Sequence, residues 1–304
     1  MKKIRRLKDF FKDDIWTIEL EELSKAKARF IKYTKVMLIT IKTFANERIG
    51  FQAVALSFFS TMSVVPFIAI IFAITGGLGL AGKLKELLYA YFDNSQQTID
   101  LILGFAQNII NTAQSSAVGL VSALMFAYIV MNLMLNVEKV FNNVWRVRKS
   151  RNIFKRISYV IAMILLSPFV VMVFFAGSFV YSHALEYVGL DLDSFGTFKT
   201  ILAWLLFGAT AVFTFSAMYK FIPNAVVRYG SALRAAIPAG IAFAIVQYMY
   251  LETQVLVTRL STIYGAFAAV PLFMVWINIG WFIILIGAEL SYAFQNVDSY
   301  NLED

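Results

Sequence analysis

The sequence predicts an all-α, polytopic integral membrane protein, with six transmembrane helices and both termini in the cytoplasm. Three observations carry that prediction. First, 60% of the 304 residues are hydrophobic and 15% charged, where soluble domains run at roughly 45–50% and 25%. The mean hydropathy is +0.70. A globule of this length still exposes much of its surface, so the apolar excess faces lipid. Second, the apolar residues gather into six runs long enough to cross a bilayer. Third, the basic residues fall almost wholly on one side of those runs.

A span needs about 20 apolar residues, and the six runs cover roughly 52–75, 117–137, 158–182, 199–221, 235–256 and 267–290. Residues 1–50 form a basic N-terminal region with interfacial helices, 51–293 the transmembrane domain, and 294–304 a short tail. Of the 27 Lys and Arg residues, only Lys83, Lys85, Lys199 and Arg259 lie on the side opposite the termini. Cytoplasmic loops are enriched in Lys and Arg, which places both termini inside. Topology therefore accounts for most of the net charge of +8, and the sequence gives no reason to invoke nucleic acid.

The opening MKKIRRLKDFFKDDIW lacks the apolar core of a signal peptide, so it is expected to be retained. Phe10, Phe11, Ile15 and Ile18 recur among its charges at helical spacing, as in a helix lying on the inner leaflet. The external segment 77–116 holds two apolar runs too short to span, which read as interfacial helices. Pro66, Pro168, Pro238 and Pro271 fall in or beside spans, where each removes a helical hydrogen bond.

Polar groups in lipid are costly and turn to the bundle interior or a wet cavity. Asn132, Asn136, Lys139 and Asn143 share one face of the second span, and Asn278 and Glu289 one face of the sixth. The fifth adds Gln247 and Gln254, and the first Ser57, Ser60 and Thr61. Two readings stand: hydrogen bonds between helices, at about 0.6 kcal/mol each, or the lining of one substrate path through Asn132, Asn136, Gln247, Gln254 and Asn278. Glu138 and Glu289 end their helices on the cytoplasmic side, where the helix dipole opposes a carboxylate. Arg48, Lys220, Arg228 and Arg234 lie at that level. The acids and these cations form either a structural clamp or a cytoplasmic gate.

With one histidine and no cysteine, nothing suggests a metal or other cofactor, and no nucleophile–base pair can be assembled for an enzyme. No phosphate-binding loop of the G-x-x-x-x-G-K-[ST] type occurs, so ATP is not expected to drive any transport.

Four motifs in register then carry a resemblance: AVALSFFSTMSVVP (53–66), NVEKVFNNVWRVRK (136–149), YKFIPN (219–224), and IYGAFAAV (263–270) leading to GAEL (287–290). Together they resemble the YihY/BrkB family of bacterial inner-membrane proteins over roughly residues 35–295. Phe58-Phe59 stands where that family usually has a tyrosine. The resemblance implies a multi-pass inner-membrane protein associated with envelope integrity, serum resistance and export of lipopolysaccharide-type lipids. The family's older label, ribonuclease BN, finds no metal-binding set in these residues. The expected function is therefore a transporter-like protein that moves or flips a lipid or other amphipathic anion, with anionic membrane lipids as partners. The alternatives are a non-transporting membrane scaffold or a small-solute transporter.

Overall fold

The computed structural model describes residues 15–17, 23–46, 48–91, 100, 103–104, 107–108, 111, 117–147, 151–152, 154–158, 160–162, 164–165, 196–260, 265–298 and 300. They are helical, joined by turns, bends and short irregular links, with no strand among them. After one turn at Ile15–Thr17 come α1 (Lys25–Asn46), α2 (Ile49–Gly77), α3 (Ala81–Tyr91), α4 (Ala117–Val144), α5 (Gly196–Phe221), α6 (Tyr229–Leu260) and α7 (Gly265–Asn296). In lipid a chain must satisfy its backbone groups within itself, and helices do so in the apolar runs that the described residues cover.

Five of these helices are long and apolar enough to cross a membrane: Ile49–Gly77, Leu124–Val144, Trp204–Phe221, Tyr229–Thr253 and Pro271–Asn296. They correspond to the expected first, second, fourth, fifth and sixth spans. Most of the expected third span, 158–182, lies outside the described residues. The helices overrun the apolar runs that predict them because helical geometry continues into the interfacial zone. Helix α3 takes up the first short run of the external segment, and most of the second run is outside the described residues. Pro66, Pro238 and Pro271 lie within continuous helices. Phe10, Phe11, Ile18 and Pro168 are not among the described residues, whereas Ile15 is buried.

Helix α7 is the hub. It packs against α6 and α2, which pack in turn against α5 and α4, and α1 lies along its C-terminal part. The main core joins Ile49, Ala53 and Leu56 of α2 to Val137 and Phe141 of α4, Tyr219 of α5, Ala235, Ala236 and Ala239 of α6, and Leu285 and Ala288 of α7. These residues all lie toward the end of the bundle where α2 begins and α4, α5 and α7 finish. That end also carries the basic loops, and it is called the basic end below.

Two helix ends show how the chain leaves the bundle. After α2, Gly79 adopts φ 70°, and its N–H and that of Leu80 bond back to Gly76 and Thr75. After α4 the same paired closure runs from Arg146 to Asn143 and from Val147 to Asn142, each at 2.9 Å. This motif favours glycine at its left-handed position, yet here Arg146 holds φ 50°. Such strain persists only where the surroundings impose it.

Candidate functional site

Among the described residues, polar side chains of the basic end gather into three groups, the first around Glu138. This carboxylate lies in the last two turns of α4 and is 2% exposed. Arg156 Nε donates to its Oε2 at 3.0 Å, and Arg151 approaches Oε1 at 3.7 Å. Both arginines are also spent on backbone: Arg156 donates to the Leu135 carbonyl at 3.1 Å, and Arg151 to those of Phe221 and Pro223. Glu138 thus ties α4 to the segment that follows it and, through Arg151, to the end of α5. Its partners are not the expected Arg48, Lys220, Arg228 or Arg234.

The second group surrounds Glu289, fully buried about two turns before the end of α7. Its carboxylate acts electrostatically on Arg146. The strained backbone of Arg146 aims its guanidinium over the rings of Tyr292 and Tyr300, 5.4 and 5.8 Å from their centroids. Trp145 meets the same Tyr292 ring edge-on at 5.6 Å. Burial draws the pKa of Arg146 down, but Tyr292, a hydrogen bond with Tyr300 and the Glu289 carboxylate outweigh it, leaving the guanidinium above its ordinary value. Sequence reasoning missed Arg146, although it stands inside the NVEKVFNNVWRVRK motif. Only its backbone geometry and stacked rings single it out from neighbouring basic residues.

The expected cations take other roles. Arg48 is exposed, with φ 50° before α2, and makes no side-chain cap. Lys220 donates to the Val227 carbonyl. The Arg228 N–H donates to Gln295 Oε1 at 2.7 Å, while Gln295 Nε2 donates to the Val226 carbonyl at 2.9 Å. Arg234 is exposed. The Asn224 N–H is bound by Asn142 Oδ1 at 2.7 Å, so the loop after YKFIPN is latched to both α4 and α7.

The third group is a cavity of about 290 Å³ between α2 and α4. Gln52, Asn136, Lys139 and Asn143 give it polar walls, and Ala55, Leu56, Phe59 and Val140 apolar ones. Three members of the polar line read along the second span therefore face one space, joined by Gln52, which sequence reasoning did not select. Asn136 also donates to the Asn132 carbonyl at 2.8 Å. The other expected path residues lie elsewhere. Asn278 bonds Ser57 at 3.4 Å and Trp281 bonds Ser60 at 2.8 Å, closing the α2–α7 interface. Gln247 is half-buried on α6. The side chain of Gln254 lies outside the described residues. Among the described residues, no group of three or more His, Cys, Asp or Glu is placed to hold a metal ion.

Comparison with known proteins bears on this arrangement. The family described as Virulence factor BrkB matches residues 40–304. The chain belongs to the BrkB family. Among similar proteins, a UPF0761 membrane protein of Methylibium petroleiphilum is 30% identical over 263 residues, covering 84% of this chain and 62% of its own length. One from Janthinobacterium is 30% identical over 253 residues, covering 82% of this chain and 57% of its own. One from Haemophilus influenzae is 26% identical over 271 residues and is covered over 95% of its length. The chain thus spans about six tenths of the length of the first two relatives. No solved structure matches it. The BrkB match takes in α2, α4 to α7 and the last turns of α1, so the residues of all three polar groups lie within it.

Proposed function

We propose that this BrkB family member is a transporter-like protein of the bacterial inner membrane that moves or flips a lipid or other amphipathic anion. In this reading the basic end and both termini face the cytoplasm, the chain is not an enzyme, and no nucleotide is hydrolysed. The cavity between α2 and α4 carries the proposal. Its walls divide between a cation with three amides and four apolar side chains, a division that suits an anionic headgroup joined to an acyl chain. At about 290 Å³ it lies at the small end of ligand pockets, enough for a headgroup while the chains remain in the bilayer. Lys139 attracts the charge, and Gln52, Asn136 and Asn143 hydrogen-bond it. The Glu138–Arg156–Arg151 cluster, one residue along α4 from Lys139, is the element whose opening would release it.

The test is scrambling of a fluorescent anionic phospholipid in proteoliposomes, with native mass spectrometry of retained lipid, on wild type and Lys139→Gln. A charge-assisted hydrogen bond contributes about 1.5–3 kcal/mol, so flux and specific lipid retention are expected to fall about tenfold or more. Unchanged flux and unchanged retention in a folded variant would end the proposal. A second reading, a non-transporting scaffold, draws support from the α2–α7 interface, where Ser57 and Ser60 bond Asn278 and Trp281. It predicts no scrambling by the wild type and only bulk lipid in the spectrum.

A further inference from the structure

Helix α1 is 22 residues long, carries six basic residues and no acidic one, and presents two apolar faces. One is internal: Val36 and Ile39 are 1% exposed and pack with Ala293 and Val297. The other is bare. Phe30, Tyr33, Met37 and Ile41 are 73%, 49%, 56% and 64% exposed, and their spacing of three, four and four residues puts them on one stripe.

Contacts with α7 fix the depth of that stripe. Lys32 pairs with Asp298 at 2.7 Å, Tyr33 meets Phe294 at 5.6 Å and Phe44 meets Phe282 at 5.9 Å between ring centroids. The two helices therefore run antiparallel, side by side. The apolar run of α7 ends near residue 290. At 1.5 Å per residue, Phe282 lies about 12 Å inside that level and Asp298 about 12 Å outside it. Ile41 then falls within the hydrocarbon, Met37 at its edge, and Tyr33 and Phe30 among the headgroups. Lys25, Lys27 and Arg29, all exposed, stand at or beyond the phosphate plane. The basic residues farther down the helix are drawn to the C-terminal segment: Lys42 lies over the Tyr300 ring, and Lys35 feels Asp298.

We infer that α1 is a half-immersed helix whose exposed stripe is covered by anionic phospholipid of the same bilayer. Acyl chains cover Met37 and Ile41, and acidic headgroups meet Lys25, Lys27 and Arg29. The occupant follows from charge complementarity and from continuity with the spans: α1 ends at Asn46, α2 begins at Ile49, and Phe51 is 76% exposed in its first turn. A helix with basic and apolar residues so divided binds by apolar burial plus attraction to anionic lipid. The inference does not depend on transport.

The chain has no cysteine, so Ile41→Cys, Phe30→Cys and, as a loop control, Asn152→Cys each take one fluorophore in the full-length protein in nanodiscs. Brominated acyl chains are expected to quench the Ile41 label at least about twofold more than the Phe30 label, and iodide to quench the Asn152 label most. Adding phosphatidylglycerol should shield the Phe30 label from iodide, and the Lys25→Gln/Lys27→Gln/Arg29→Gln variant should lose that shielding. An Ile41 label quenched by iodide as strongly as the Asn152 label would put the stripe in water and overturn the inference. One quenched by neither agent would mean that protein covers the stripe, which overturns it equally. Indifference of the Phe30 label to phosphatidylglycerol would overturn the anionic assignment.

Discussion

Along α6, the turns nearest the basic end present Ser231, Ala232, Ala235, Ala236, Ala239 and Gly240 to the interior, all buried. From Ile241 onward the same helix carries Ile241, Ile245, Tyr248 and Met249 exposed. There it meets its neighbours through rings: Phe243 with Phe207 and Phe215, Tyr248 with Trp204, and Tyr250 with Trp276 at 5.1 Å. One half packs by removing side chains and the other by inserting large ones. Lipid supplies no hydrophobic drive between helices, so association rests on van der Waals fit and polar bonds, and small residues let backbones approach. At Gly240 an added Cβ would come within 3.0 Å of the Val212 backbone nitrogen. The polar clusters, the latched loop and the α2–α4 cavity all sit beside the closely packed half.

This contrast makes the basic end the more closely packed part of the bundle, and substitutions can break or sharpen it. The largest effect is expected from Glu138→Gln, which leaves Arg151 and Arg156 without their carboxylate charge. Removing one member of a buried ion pair costs about 3–5 kcal/mol, visible as a fall in the detergent unfolding midpoint. No such loss is expected from Thr210→Ala near the middle of α5, where the hydroxyl bonds the Leu206 carbonyl of its own helix. If the two variants unfold alike, the ion cluster does not hold the basic end.

Next comes a pair of glycines. Gly240→Ala meets backbone that cannot turn aside and is expected to cost about 1–3 kcal/mol, as overpacking does. Gly208→Ala on α5 meets nothing within 4 Å and should be neutral or stabilising by up to about 1 kcal/mol. Equal midpoints would show that close helix approach does not distinguish the two places.

The smallest effect concerns Lys35, which is 7% exposed. Burial lowers its pKa below the ordinary 10.5, although Asp298 pulls the other way. The unfolded state therefore binds the proton more tightly. Charging opposes folding below the lowered pKa, and the burden lifts as pH rises toward 10.5. Lys35→Met is expected to stabilise by at most about 1 kcal/mol at neutral pH, with the gain shrinking as pH climbs. A gain that does not change with pH would trace to packing instead of charge.

Much of this was legible in the sequence. Five of the expected spans follow from apolar run length, because lipid admits few structures other than helices. The face shared by Asn136, Lys139 and Asn143 follows from helical periodicity alone. The partners of Glu138 did not, and the reason is geometric: counting cations at one membrane level cannot distinguish Arg151 and Arg156, on the segment after α4, from Arg48 or Arg228. Gln52 was passed over because one amide at the head of a span carries no pattern. Arg146 was passed over because nothing in WRVRK marks which residue turns left-handed.

By itself the sequence determined the solvent, the helical class and the basic asymmetry, since each is a property of composition and period that any packing of the chain must respect. Tertiary structure alone decided which polar faces meet. Asn278 closes on Ser57 while Asn136 opens on a cavity, although both are asparagines on one face of a span. That difference arises from which helix lies opposite and how near its backbone can come.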